Sequence, residues 1–292
     1  MDFKNYLEVT AKNIDDELDE VLSNFLNEVK ETNIKLLPFA LGLLNSCRGG
    51  KRIRGVLVKL GYEIASPASG GTRNDILRIG AAYEILHAGF LIHDDIMDES
   101  TKRRGQPSLY QSLGGDHQGI SQAISVGDIA LYLPIRLISE TNFLGEYKLK
   151  ALNQLSEIVM NTGWGQIMDV ESHSADASRD KDFVNLFKTA KYTVAGPLQI
   201  GAILGGMDPT SPELRGIKEF GESLGIAYQI KDDQLDGESH FAVHPSFGRK
   251  ISRDKLLEYT AKAKKMIPEI TTDTRMKVVL GEMCQFLAER TA

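Results

Sequence analysis

Cysteine is nearly absent. The 292 residues hold two, Cys47 and Cys284, far apart and in no metal-ligand spacing. Two cysteines cannot staple a chain of this size, and the expectation is a protein of the reducing cytoplasm. Long apolar runs are missing as well. Nowhere do eighteen apolar residues stand together, so no membrane-spanning helix is expected. The opening MDFKNYLEVTAKNIDDELDE is acidic and has no apolar centre, so this stretch is not expected to act as a signal peptide. There is no basic excess: 40 acidic residues face 34 basic ones, for a net charge of −6. That balance argues against a nucleic-acid binder. Alternating polar and apolar runs are scarce, which predicts almost no sheet.

What remains is ordinary globular composition with a helical period. Hydrophobic residues make up 42% and charged residues 25%, enough to bury a large core. No linker or composition shift marks a boundary, so residues 1–292 are expected to form one domain. Ile14, Leu18, Val21, Leu22, Phe25 and Val29 recur at three- and four-residue steps, the stripe of an amphipathic helix. From Asp75 to Met97 the apolar residues leave no broad polar face, which predicts a helix surrounded by others. Ile217 to Leu235 and Arg275 to Leu287 also read as helical. Breakers fall at 66–71, 105–107, 114–119, 205–212 and 237–248. The fold class is therefore all-α, a single large helical bundle.

Two segments share a spacing: Asp94, Asp95 and Asp98 in LIHDDIMDES, and Asp232, Asp233 and Asp236 in YQIKDDQLDGE. On a helix, positions four apart share a face. Asp94 then lies beside Asp98, and Asp232 beside Asp236. Like charges so placed cost roughly 0.2–0.5 kcal/mol per pair on a surface helix, and more beside apolar neighbours. Each segment directly follows an apolar run, which predicts a cavity mouth and a cation to offset the repulsion. Carboxylates without histidine or cysteine in ligand spacing suit magnesium, which bridges carboxylates to substrate phosphates. The blander reading, two solvated acidic helix ends, is weakened by the repetition.

Fixed cations for a diphosphate are also present. GGKRIRG at 49–55 places Lys51 and Arg54 three apart behind two glycines that allow close backbone approach. Arg103 and Arg104 in TKRRGQP follow the first aspartates, and guanidinium forks match phosphate oxygens. His87 lies seven residues before Asp94 and on the same helical face, which suggests a role at the ligand, although a lone buried histidine is usually a core residue. His93 has no such alignment. No serine or cysteine stands in a nucleophilic constellation.

In order along the chain, GGKRIRG, HAGFLIHDDIMDES, TKRRGQP, GQIMD, FKTAKYTVAGPLQIGAILGG and YQIKDDQLD resemble the trans-isoprenyl diphosphate synthase, or polyprenyl synthetase, family. The resemblance runs from about residue 45 to the second aspartate segment and resumes more loosely at the C-terminus. It implies an all-helical fold around a deep central cavity, as a homodimer. It also implies condensation of isopentenyl diphosphate with an allylic diphosphate, with magnesium as cofactor. Asp94, Asp98 and Asp232 match the principal metal ligands, supported by Asp95, Asp233 and Asp236. Arg103 and Lys188 match residues that hold the allylic diphosphate. Lys51, Arg54, His87 and Arg104 match the isopentenyl diphosphate pocket. Thr189, Gln229, Gln166 and Asp169 match polar groups around the reacting carbons.

The resemblance implies that product length is set by bulky residues just before the first motif. Here Phe90 is bulky, Leu86 lies a turn deeper, and Gly89 is expected to leave a gap beside Phe90. A farnesyl to geranylgeranyl product follows. One departure stands out. After QLDGE the family continues through a glycine–lysine segment over the metals. This chain instead passes through SHFAVHPSFGRKISRDKL, where no residue matches that lysine. A class I terpene cyclase shares the fold and first motif but generally lacks the second motif and the GGKR segment. A non-catalytic partner subunit would favour decayed aspartates, and these are whole.

Overall fold

The structure, a computed structural model, describes residues 2–65, 71–172, 181–235 and 245–289. Among them the architecture is all-α. The helices are α1 (Phe3–Thr32), α2 (Leu37–Cys47), α3 (Ile53–Ile64), α4 (Arg73–Met97), α5 (Leu109–Ser112), α6 (His117–Glu140) and α7 (Gly145–Ser172). They continue as α8 (Lys181–Val184), a π-helix (Asn185–Ala195), α9 (Gly196–Leu204), α10 (Pro212–Leu235), α11 (Pro245–Ile270) and α12 (Thr274–Glu289). The only strands among the described residues are β1 (Lys102–Arg103) and β2 (Gln106–Pro107). No described helix is long and apolar enough to cross a membrane.

The chain divides into two compact units. One comprises residues 10–56 and 71–143. Its axis is α4, whose start is a reciprocal capping box. The Thr72 hydroxyl accepts from the Asp75 N–H at 3.1 Å, and the Asp75 carboxylate accepts from the Thr72 N–H at 2.8 Å. Asp75 also accepts from the Asn142 N–H at 3.1 Å, tying the start of α4 to the segment after α6. The lack of a broad polar face on α4 is met by packing against α2 and α6. Its last residues change from enclosed to exposed at Met97 and Asp98, so the aspartates sit where the helix leaves the core.

Beyond α4, β1 and β2 form a two-residue hairpin pairing Lys102 with Pro107 and Arg103 with Gln106. Its tip is Arg104 and Gly105, both left-handed at φ 52° and 77°, the pattern that matches strand twist in a tight hairpin.

The second unit comprises residues 1–9, 57–70 and 144–292, as far as these are described. Here α10 packs on α11 and on the π-helix, which also meets α7. Pro197, just inside α9, has no N–H and its ring crowds the carbonyl four residues back, a local reason for departing from α geometry there. The segment at 237–248, read from sequence as a breaker, becomes helical from Pro245. Proline suits a first helical turn, because the N–H it lacks has no partner at that position.

Candidate active site

In the first unit the carboxylates of the LIHDDIMDES segment differ in role. Asp95 is 4% exposed, while Asp98 is exposed and caps α4 through its N–H to the Asp94 carbonyl at 2.8 Å. Arg103 on β1 donates to Asp95 Oδ1 from Nε at 2.9 Å and from Nη2 at 2.5 Å, and its Nη2 lies 3.4 Å from Asp94 Oδ2. Burial pushes the Asp95 carboxyl above the ordinary carboxylate range, and the guanidinium opposes that push.

Among the described residues no three metal-ligating side chains are gathered closely enough to hold an ion. The donor set nonetheless fits a hard cation. It is all oxygen, and the Arg103 guanidinium already stands as a positive charge bridging Asp94 and Asp95.

The basic residues of this unit gather around His87 and the hairpin tip. The His87 imidazole is held well below the ordinary histidine range by burial first, then by the charges of Arg54, Arg104, Arg103 and Arg52. Arg104 donates to the Arg48 carbonyl. A Cβ on Gly49 or Gly50 would come within 3.4 Å of the Arg104 guanidinium, so the loop's glycines let the backbone lie against it. Burial and the neighbouring arginines lower the Arg104 pKa. Arg48, Gly49, Asp95, Arg103 and Arg104 line a cavity of about 660 Å³, with Leu91, Ile92 and Leu109 as apolar wall. This concentration of positive charge in a partly dry site is what an anion would relieve.

In the second unit, Asp169 of α7 and Lys188 of the π-helix form an ion pair at 2.6 Å. A Cβ on Gly165 would lie 2.7 Å from the Lys188 Cα, so only glycine allows the two helices this approach. Gln166, on the same stretch of α7, keeps a buried Nε2 with no hydrogen-bond partner among the described residues. A buried orphan amide is costly and points to a polar ligand or water. Thr189 is half-buried beside Lys188.

In the second aspartate segment, Gln229 donates to Asp233 Oδ1 at 2.7 Å, and Lys181 meets Asp233 Oδ2 at 3.0 Å. Asp232 is half-buried, and Asp236 lies outside the described residues.

Two features depart from the sequence expectation. Gly89 leaves no gap beside Phe90. α6 occupies that space, and a Cβ there would meet Ala130 Cβ at 2.9 Å and the Gly127 carbonyl at 3.1 Å. The missing side chain serves helix–helix approach. The second feature is the part played by Arg52, which lies inside GGKRIRG between the residues its spacing picks out, and by Glu84 and Lys181, which no motif or spacing singles out. Glu84 does carry a signal, because an acid inside the otherwise apolar stretch AAYEILHAGF must find a cation or a donor.

The fold is shared with a solved structure of geranylgeranyl pyrophosphate synthase from Corynebacterium glutamicum. The TM-score is 0.80 at 21% identity, over 99% of this chain and 100% of that one. That structure is described as complexed with isoprenyl diphosphate and magnesium. The pattern of the polyprenyl synthetase family matches residues 42–255, and the chain belongs to this family. It is 31% identical over 244 residues to the farnesyl diphosphate synthase of Micrococcus luteus, covering 80% of each chain. It is 28% identical over 237 residues to the geranylgeranyl diphosphate synthase of Sulfolobus acidocaldarius, covering 80% of this chain and 66% of that protein. The relatives are short-chain isoprenyl diphosphate synthases.

Proposed function

We propose that this chain condenses isopentenyl diphosphate with an allylic diphosphate, dimethylallyl, geranyl or farnesyl, to give a short-chain trans-polyprenyl diphosphate and free diphosphate. The observation that carries this is a single cavity lined by Arg48, Arg103 and Arg104 together with Asp95, whose neighbour Asp94 meets the same Arg103 guanidinium. A site for one anion would not need so many fixed cations next to a carboxylate pair that itself invites a metal.

Asp94, Asp98 and Asp232, supported by Asp95, Asp233 and Asp236, would hold magnesium, which supplies charge neutralisation for the departing diphosphate. Arg103 and Lys188 bind the allylic diphosphate. As its carbon–oxygen bond breaks, their guanidinium and ammonium groups meet the charge developing on the leaving oxygens. Lys51, Arg54 and Arg104 hold the diphosphate of isopentenyl diphosphate, and neutral His87 donates a hydrogen bond to it. The double bond then attacks the allylic cation, and loss of a proton to the released diphosphate restores an allylic product. Thr189, Gln166, Gln229 and Asp169 present polar groups around the reacting carbons, and the apolar walls keep out water that would capture the cation.

The product is farnesyl or geranylgeranyl diphosphate, with Phe90, or Leu86 a turn deeper, at the floor of the tail channel. We further propose that residues 1–292 act as one catalytic domain, in a cytoplasmic homodimer.

The test is direct. The purified protein is incubated with magnesium, labelled isopentenyl diphosphate and each allylic primer, and the dephosphorylated products are chromatographed. A fifteen- or twenty-carbon alcohol is expected. Cyclic hydrocarbon from the allylic diphosphate alone, or no incorporation of isopentenyl diphosphate, would refute the proposal.

A further inference from the structure

The loop that carries Lys51 is built from backbone conformations that need outside support. Gly49 and Gly50 are left-handed at φ 75° and 95°, and so is Arg52 at φ 52°. A non-glycine residue in that region persists only where its surroundings over-determine it. For Arg52 those surroundings are specific. Its guanidinium, 8% exposed, donates from Nε to Asp15 of α1 at 2.6 Å and from Nη1 to the Cys47 carbonyl at the end of α2 at 2.8 Å. Nη1 also lies 3.8 Å from Glu84 of α4.

Glu84 is itself 6% exposed, and its other oxygen accepts from the Gly55 N–H in the first turn of α3 at 2.9 Å. At that crossing the backbones of α3 and α4 come close: a Cβ on Gly55 would meet the Gly80 carbonyl at 2.8 Å. One guanidinium thus ties α1, α2 and α4 to the loop, and one carboxylate carries the tie on to α3.

We infer that Arg52, with Asp15 and Glu84 as its anchors, is the positioning residue that holds the 48–55 loop in the shape that presents Lys51 and Arg54 to isopentenyl diphosphate. This deepens the proposed function and rests on it for the identity of the anion. Arg52 does not touch the substrate. Its work is to fix the backbone that flanks both binding cations, and Glu84 stands three residues before His87 on the same face of α4, so one anchor serves both sides of the pocket. A fork is needed rather than a point charge, because acceptors on different helices must be met at once. Lysine in its place keeps the charge and loses that geometry.

The experiment compares wild type with Arg52→Lys and Asp15→Asn. Asp15 is half-exposed, so its variant keeps the fold even should the buried substitution fail to. Two readouts are taken. Amide hydrogen exchange across 48–55 should speed up in both variants, while α7 and α10 keep their protection. The KM for isopentenyl diphosphate should rise about tenfold, the scale of one charged hydrogen bond, with kcat and the allylic KM little changed. Unchanged loop exchange in folded variants overturns the inference. So does faster exchange without a change in that KM, or a parallel loss in kcat and both KM values, which marks general damage. Where wild type itself turns over no isopentenyl diphosphate, the reaction proposal falls. Calorimetric binding of inorganic diphosphate then replaces the KM: about tenfold weakening sustains the role of Arg52 and unchanged binding ends it.

Discussion

Arg103 donates from Nε and Nη2 to a single carboxylate oxygen of Asp95, at 2.9 and 2.5 Å, across the turn that joins α4 to the hairpin. The pair separates two aspartates that look equivalent in sequence. Asp95 faces inward and holds the hairpin, whereas Asp94 is less enclosed and only grazes the same guanidinium. Replacing Asp95 by alanine should destabilise the fold by about 1–3 kcal/mol, since it strips a buried charged hydrogen bond from a half-exposed partner. Urea denaturation of Asp95→Ala beside Asp94→Ala checks this, with the larger loss expected for Asp95.

Turnover should depend on the other aspartates. Asp94→Ala and Asp232→Ala should each lower kcat by about 10²–10³-fold with the circular dichroism spectrum unchanged, the scale of removing one interaction made in the transition state. Near-normal turnover of either variant at saturating magnesium would remove these residues from the ligand set.

The basic residues should divide by substrate. Lys51→Ala and Arg54→Ala should raise the KM for isopentenyl diphosphate more than that for the allylic partner, and Arg103→Ala the reverse. Removing one charge-assisted hydrogen bond to a phosphate oxygen is worth about tenfold or more. Steady-state kinetics with each substrate varied in turn decides the matter. An effect of Lys51→Ala confined to the allylic KM would exchange the two assignments.

His87 predicts a pH dependence. Burial and four arginines depress its folded pKa below the unfolded value, so between those two values the unfolded chain binds the proton and the native chain does not. Stability is therefore present above about pH 6.5 and lost as the pH falls, by at most about 1.4 kcal/mol per pH unit. Denaturation of wild type and His87→Gln between pH 7.5 and 5.5 should show a shallower loss in the variant. Equal slopes would mean His87 gains a proton as readily in the fold as in the unfolded chain.

Phe90 and Gly89 should behave differently. Phe90→Ala, which opens the proposed channel floor, should shift the dephosphorylated products to longer chains. Gly89→Ala should instead destabilise by about 1–3 kcal/mol, because the added methyl runs into Ala130 and the Gly127 carbonyl. Product chromatography and thermal denaturation separate the two effects. An unchanged product range in an active Phe90→Ala enzyme would move the floor elsewhere.

The sequence by itself determined what depends on neighbours along the chain. The three- and four-residue recurrence of Ile14, Leu18, Val21 and Leu22 defined α1, and the apolar run from Ile76 to Ile92 marked α4 as a helix enclosed by others. The aspartates after that run, and the basic residues before and after it, were legible because charges beside an apolar helix demand an explanation. Tertiary structure alone decided which of those charges serve each other. Nothing local separates Arg52 from Arg54, or Asp94 from Asp95. Arg52 turns to Asp15 and Glu84, 37 residues before it in one case and on another helix in the other. Gly89 likewise read as an open space until α6 filled it, and nothing along the chain separates the π-helix carrying Lys188 from an ordinary amphipathic α-helix. Periodicity records which face a residue occupies, whereas ion pairing and helix approach depend on distances between segments that the chain order does not contain.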